Sequence, residues 1–138
     1  TRYLSVGDVI ALHHVVMRRL GRDPSPVRDE GGLESAVMRP RHAAHDEDAD
    51  LTRQAVVLAI GIAQAQAFLD GNKRTALVAL LAFLWENGLR FAGDWLELAG
   101  ELESVAARSH HLAAATDDLD ALLRAGAPPS GTSGQNDP

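Results

Sequence analysis

The chain contains no cysteine, so no disulfide supports its fold and no thiol takes part in its chemistry. That suits a reducing compartment, and a cytoplasmic location is expected. Aromatic residues are scarce at 4%. Apolar residues reach 46% and are rich in alanine, leucine and valine, a mixture that favours helices over sheet. Long apolar runs are missing: nothing approaches the roughly 20 residues that a bilayer-spanning helix needs. The first residues, Thr1-Arg2-Tyr3-Leu4, lack a charged-then-apolar leader pattern. Positive charge is in deficit. Thirteen lysines and arginines face nineteen aspartates and glutamates, a net charge of −6. This argues against direct nucleic-acid binding, which neutralises phosphates with a basic surface. At 138 residues the chain is expected to form one domain with a sizeable core.

Apolar periodicity then predicts the elements. Ser5 and Asp8 form a helix-start signal, followed by Val6, Val9, Ile10, Val16, Met17 and Leu20 at helical spacing. His13 fills the gap in that stripe and reads as a core histidine. Gly21 ends the helix, and Arg22 to Pro26 reads as a turn. A short second helix carries Leu33, Ala36 and Val37 and stops at Pro40, oriented by a polar network of Arg28, Asp29 and Glu34. The stretch 42–50 reads as a loop, with Asp46, Glu47, Asp48 and Asp50 solvated. A third helix opens at Leu51 or Thr52 and is apolar almost all round to Ala67, so it is buried.

A fourth helix starts near Asn72 to Thr75 and runs through Leu77, Leu80, Leu81, Phe83 and Leu84 to a stop at Asn87-Gly88. Leu89 to Phe91 reads as a short extended piece. A fifth helix spans Trp95 to Ser109, and Thr116 caps a sixth. Trp85 and Trp95 read as core or interface anchors. His110 and His111 are adjacent and share no helical face, which argues against a metal site there. From Ala127 the composition turns to Pro, Gly, Ser, Asn and Asp, a disordered tail over 127–138 behind a domain of 1–126. The fold class expected is all-α: a compact bundle of about six helices.

Between the two most buried helices stands Phe68-Leu69-Asp70-Gly71-Asn72-Lys73-Arg74-Thr75-Ala76. Asp-Gly or Gly-Asn alone is an ordinary loop signal. Here a carboxylate, a glycine, an amide and two cations fall within one turn at a helix start. The first amides of a helix lack internal partners and lie along a favourable dipole, so an anion gains hydrogen bonds and charge stabilisation there. Gly71 lets the chain wrap closely around a ligand. Asp70 offers an oxygen of the kind magnesium takes together with substrate phosphates. Lys73 supplies a point charge and Arg74 a planar fork for phosphate oxygens. Asn72 can donate and accept within the turn.

These residues resemble the Fic/Doc family, and more closely its Doc (death on curing) branch. The Fic pattern reads His-x-Phe-x-Asp/Glu-Gly-Asn-Gly-Arg. The Doc branch replaces the second glycine with lysine and continues Arg-Thr-Ala. Phe68, Asp70, Gly71, Asn72, Lys73, Arg74, Thr75 and Ala76 match the Doc version. Tyr3-Leu4-Ser5 with Asp8, Val9 and His13 is similar to the Doc start. The run Arg28 to Val37 is similar to its Arg-Asp-x-Gly-x-Leu-Glu-Ser-Ala segment, and Phe83-Leu84 with Asn87-Gly88 to the end of its next helix.

The resemblance implies a Fic-type helical fold with the motif loop between its two central helices. It also implies ATP or another nucleoside triphosphate as substrate, with Mg2+. Fic enzymes transfer a nucleotidyl (AMP) group to a protein hydroxyl. Doc toxins transfer the terminal phosphate to a threonine of elongation factor Tu and stop translation, and a cognate antitoxin silences them. Asp70 would hold the metal. Asn72, Lys73, Arg74 and the Gly71 amide would hold phosphates, and Phe68 would anchor the loop. The second arginine of Fic motifs would fall at Leu77, and its absence agrees with Doc.

One departure bears on mechanism. The family's catalytic histidine falls at Gln66, and its usual following proline at Ala67. A hydroxyl attacking phosphorus needs a base with a pKa near working pH, and an amide has no useful basicity. Loss of a general base costs about a hundred- to ten-thousandfold in rate. Phosphoryl transfer also rests on positioning and charge, so some activity can survive. Three accounts fit: an introduced inactivating change, a natural member that binds nucleotide or antitoxin without catalysing, or a base brought in by folding.

Overall fold

The computed structural model describes residues 1–105 and 112–126. Among the described residues the apolar stripes fold as six helices: α1 Val6–Arg19, α2 Glu30–Glu47, α3 Leu51–Ala65, α4 Asn72–Glu86, α5 Trp95–Val105 and α6 Leu112–Ala125. The described residues contain no strand, and Leu89 to Phe91 is irregular rather than extended pairing. No described helix is long and apolar enough to cross a membrane. The expected tail, the His110-His111 pair and the end of the expected fifth helix lie outside the described residues.

α3 is the axis of the bundle. Every residue from Gln54 to Ala63 is buried except Val57, and α2, α4, α5 and α6 all pack on it. α4 is the second central rod, with Ala76, Ala79, Leu80 and Phe83 fully buried and α1 and α5 against its flanks. The motif therefore does lie between the two central helices.

Helix ends follow from local chemistry. Ser5 and Asp8 form a reciprocal capping box on α1. α1 closes on Gly21 at φ +71, with the Gly21 amide donating to the Arg18 carbonyl and the Arg22 amide to the Met17 carbonyl, a Schellman ending. α4 closes the same way around Gly88 at φ +81, where Gly88 donates to Trp85 and Leu89 to Leu84.

Four expectations need correction. Pro40 does not stop α2; the helix continues to Glu47 with Pro40 buried inside it. Its ring removes one backbone donor, but α2 makes the most extensive helix pairing of the described residues, against α3. The approach is close: a Cβ on Gly61 would stand 3.2 Å from the Ala36 Cβ. Tertiary packing overrides the breaker. Thr116 is not a cap but lies inside α6, its hydroxyl donating to the Leu112 carbonyl at 2.8 Å.

Of the two readings of Trp85 and Trp95, the core one is overturned: both are exposed, and the Arg90 guanidinium lies 3.5 Å over the Trp85 ring. The stretch 42–50 is not a loop throughout, although its acidic residues Asp46, Glu47, Asp48 and Asp50 are exposed. It ends α2 and turns at Asp48, and Asp50 then caps α3 by accepting from the Arg53 amide at 2.9 Å. Asp50 also takes a two-pronged contact from Arg124, 2.9 Å on each prong. Arg124 reaches buried Asp120 as well, and Arg53 bonds Asp117 at 3.0 Å and Asp120 at 3.3 Å. The Arg124 hydrogen bond holds the Asp50 carboxyl below its usual range. Asp50, and then Asp120, push Arg124 above the ordinary arginine value. This network clamps α6 to the start of α3.

Candidate functional site

α3 stops because Gln66 leaves the helix in the left-handed region, φ 46 and ψ 44. The segment before α2 braces this bend. Arg28 donates from Nε to the Gln66 carbonyl at 3.1 Å and from its amide to the Ala67 carbonyl at 2.8 Å. The expected network of Arg28, Asp29 and Glu34 is thus divided. Arg28 serves the motif loop, Asp29 caps α2 through the Gly32 amide at 2.9 Å, and exposed Glu34 makes no hydrogen bond among the described residues.

The next residues are pinned from below. Phe68 is fully buried and stacks on His13, centroids 3.8 Å apart and planes within 8°. His13, itself fully buried, donates from Nε2 to the Asp70 carbonyl at 2.9 Å, while its Nδ1 has no partner. Asn72 brackets the turn. Its Nδ2 donates to the Phe68 carbonyl at 2.8 Å and its Oδ1 accepts from the Phe68 amide at 3.0 Å. Gly71 sits at φ +80 directly over α1, where a Cβ would stand 2.9 Å from the Met17 sulfur. Only glycine meets both conditions at no cost.

What remains faces solvent. Asp70 turns outward, with Oδ1 accepting from the Gly71 amide at 2.8 Å and Oδ2 from Arg22 Nη1 at 2.5 Å. Lys73 pairs with Glu103 at 2.9 Å. Exposed Arg74 has no ion pair or hydrogen-bond partner among the described residues. Gly71, the N-cap of α4, offers no side-chain cap, and the amides of Asn72, Lys73 and Arg74 find no acceptor among the described residues. These groups line an open cleft of about 430 Å³ with Gln66 and Leu69 on its rim. The cleft can hold an anion by three free amides, the helix dipole and a loose guanidinium.

The family model for Fic/DOC matches residues 3–84, more than half of the chain. The chain belongs to the Fic/DOC family. Among curated relatives, this Fic/DOC chain is 36% identical over 97 residues to Toxin Doc of Mycolicibacterium smegmatis, covering 69% of this chain and 72% of that protein. It is 34% identical over 90 residues to Protein kinase doc of Escherichia phage P1, covering 64% and 71%. Both relatives place it in the Doc branch.

The cleft of this Fic/DOC protein brings together Gln66, Asp70, Gly71, Asn72, Lys73 and Arg74. It distributes their work differently from the sequence reading. The Asn72 side-chain carboxamide and the Gly71 N–H are spent inside the loop, on Phe68 and Asp70. The Asn72, Lys73 and Arg74 amides and the Arg74 side chain are the open groups. Arg22 and Glu103 were missed. Gly21 marked the end of α1, but nothing local in the sequence tied Arg22 to Asp70, 48 positions away.

The donor set also bears on a metal. The described residues contain no group of three or more His, Asp or Glu able to cage an ion. A single outward carboxylate beside free amides suits Mg2+ arriving with a polyphosphate, which keeps most of its water and needs one or two carboxylates.

Proposed function

We propose that this chain is a Doc-type toxin that holds a nucleoside triphosphate with Mg2+ in the cleft at the start of α4. It passes the terminal phosphate to a hydroxyl of a target protein, at a rate cut by Gln66. The observation that carries this reading is the start of α4. Three unpartnered amides, the loose Arg74 guanidinium and the outward Asp70 carboxylate share one rigid turn. Phosphoryl transfer needs positioning and charge stabilisation above all, and this turn offers both.

In the proposed step the target oxygen bonds to the terminal phosphorus while the bridging P–O bond breaks. The nucleoside diphosphate leaves with the electron pair. Arg74 and the α4 amides take up the charge on the phosphate oxygens. Asp70 would hold Mg2+, which would supply further neutralisation of phosphate charge. The hydroxyl proton goes to solvent, since the Gln66 amide cannot accept it. Leu77 is buried in the core, at the position where nucleotidyl-transferring members carry a second arginine, which supports phosphoryl over nucleotidyl transfer.

By family, the target is a threonine of elongation factor Tu, and the partner is a cognate antitoxin that silences the protein. The names of the two relatives, a toxin and a protein kinase, support a toxin that transfers phosphate to protein. A second reading draws on Gln66 itself. Its side chain has no hydrogen-bond partner among the described residues and no basicity, which favours a module that binds nucleotide or antitoxin without turnover.

Gln66→His separates the two. On the enzyme reading it arrests bacterial growth and raises phosphate transfer to elongation factor Tu by about a hundred- to ten-thousandfold. A folded, nucleotide-binding Gln66→His protein that transfers nothing supports the binding module.

A further inference from the structure

We propose that Arg22 is an exchangeable counterion of this cleft, covering Asp70 while the cleft is empty and moving to the phosphates when a divalent cation takes its place. The inference rests on the phosphate-and-metal reading above and assigns it a residue outside the family motif.

Arg22 is set in place by the end of α1. The Schellman turn uses its amide, bonded to the Met17 carbonyl at 2.9 Å, and leaves its side chain free to reach over the cleft. The guanidinium meets Asp70 Oδ2 at 2.5 Å and has no other partner among the described residues. Both Asp70 oxygens are engaged, Oδ1 by the Gly71 amide and Oδ2 by Arg22. A cation taking the outer oxygen competes with the Arg22 charge there and can displace it.

That displacement is easy. The Arg22 and Asp70 side chains are 58% and 49% exposed, and ion pairs in such surroundings contribute little. The released guanidinium lines the same cleft as Lys73 and Arg74, and its fork fits two phosphate oxygens. Lys73 follows the same logic, parked on Glu103 at 2.9 Å. Two cations of the cleft, Arg22 and Lys73, are thus paired with carboxylates, and among the described residues Arg74 is not.

The test is calorimetry of the whole chain with inorganic tripolyphosphate, which removes any dependence on the nucleobase, in chelator and in Mg2+. Arg22→Gln changes a solvated side chain and leaves the helix-ending amide intact. Arg18→Gln, an exposed arginine in the last turn of α1 outside the cleft, controls for the lost charge. Arg22→Gln is expected to weaken metal-free binding by about fivefold and to enlarge the gain from Mg2+ by about two- to fivefold. Arg18→Gln is expected to do neither.

Wild type binding with Arg22→Gln unchanged in both quantities, or no different from Arg18→Gln, overturns the role of Arg22 alone. Wild type that binds no tripolyphosphate in either condition overturns the cradle itself, and the inference with it.

Discussion

Gly71 shows how much one residue can decide. It holds a left-handed conformation at φ +80 and lies against the Met17 sulfur, so an added methyl group is strained in backbone angle and crowded in space. Gly71→Ala is expected to lower stability by about 1–3 kcal/mol in urea denaturation and to weaken tripolyphosphate binding in calorimetry. That the motif residues would gather at one helix start was legible from their spacing. Their division of labour was not. Asn72 can donate and accept, and only the bend at Gln66 and Gly71 shows that both capacities go to the backbone of Phe68. His13 was recognisable as a core residue from its place in the α1 stripe. Its stacking on Phe68 and its bond to the Asp70 carbonyl depend on a contact between distant parts of the chain.

At the scale of elements, helix ends were readable where glycine or a capping pair marks them, as at Ser5, Gly21 and Gly88. They were misread where a local signal competes with packing. Pro40 is a strong breaker in a free helix and a tolerated one when its helix lies along α3. Asp46, Glu47 and Asp48 are exposed as their composition suggests, but Asp50 looked like one of them because its partner, Arg124, lies 74 positions later in the chain. This junction has a pH signature. Asp50 has its folded pKa depressed by Arg124, so its contribution to stability is present above the unfolded carboxyl value and lost as pH falls through the folded one. Asp50→Asn keeps a good N-cap but removes that titration. Denaturation midpoints below about pH 4 are expected to fall less steeply for Asp50→Asn than for the parent chain.

For the molecule as a whole, the scarcity of aromatics and the apolar α3 were enough to give an all-helical bundle with the motif at its centre. Binding at that centre acts on the entire fold, because the loop is tied to α1 by His13, to the α2 approach by Arg28 and to α4 by Asn72. A nucleoside triphosphate with Mg2+ at a hundred times its dissociation constant is expected to add about 2.7 kcal/mol, seen as a rise in melting temperature. The same ties have a consequence for residue 66. Its carbonyl is anchored by Arg28, and its side chain reaches the cleft rim without a hydrogen-bond partner among the described residues. Position 66 is a socket, not a strut: on the proposed function, the side chain plugged in there can be swapped while the surrounding architecture stands, so such a protein could be disarmed without being dismantled.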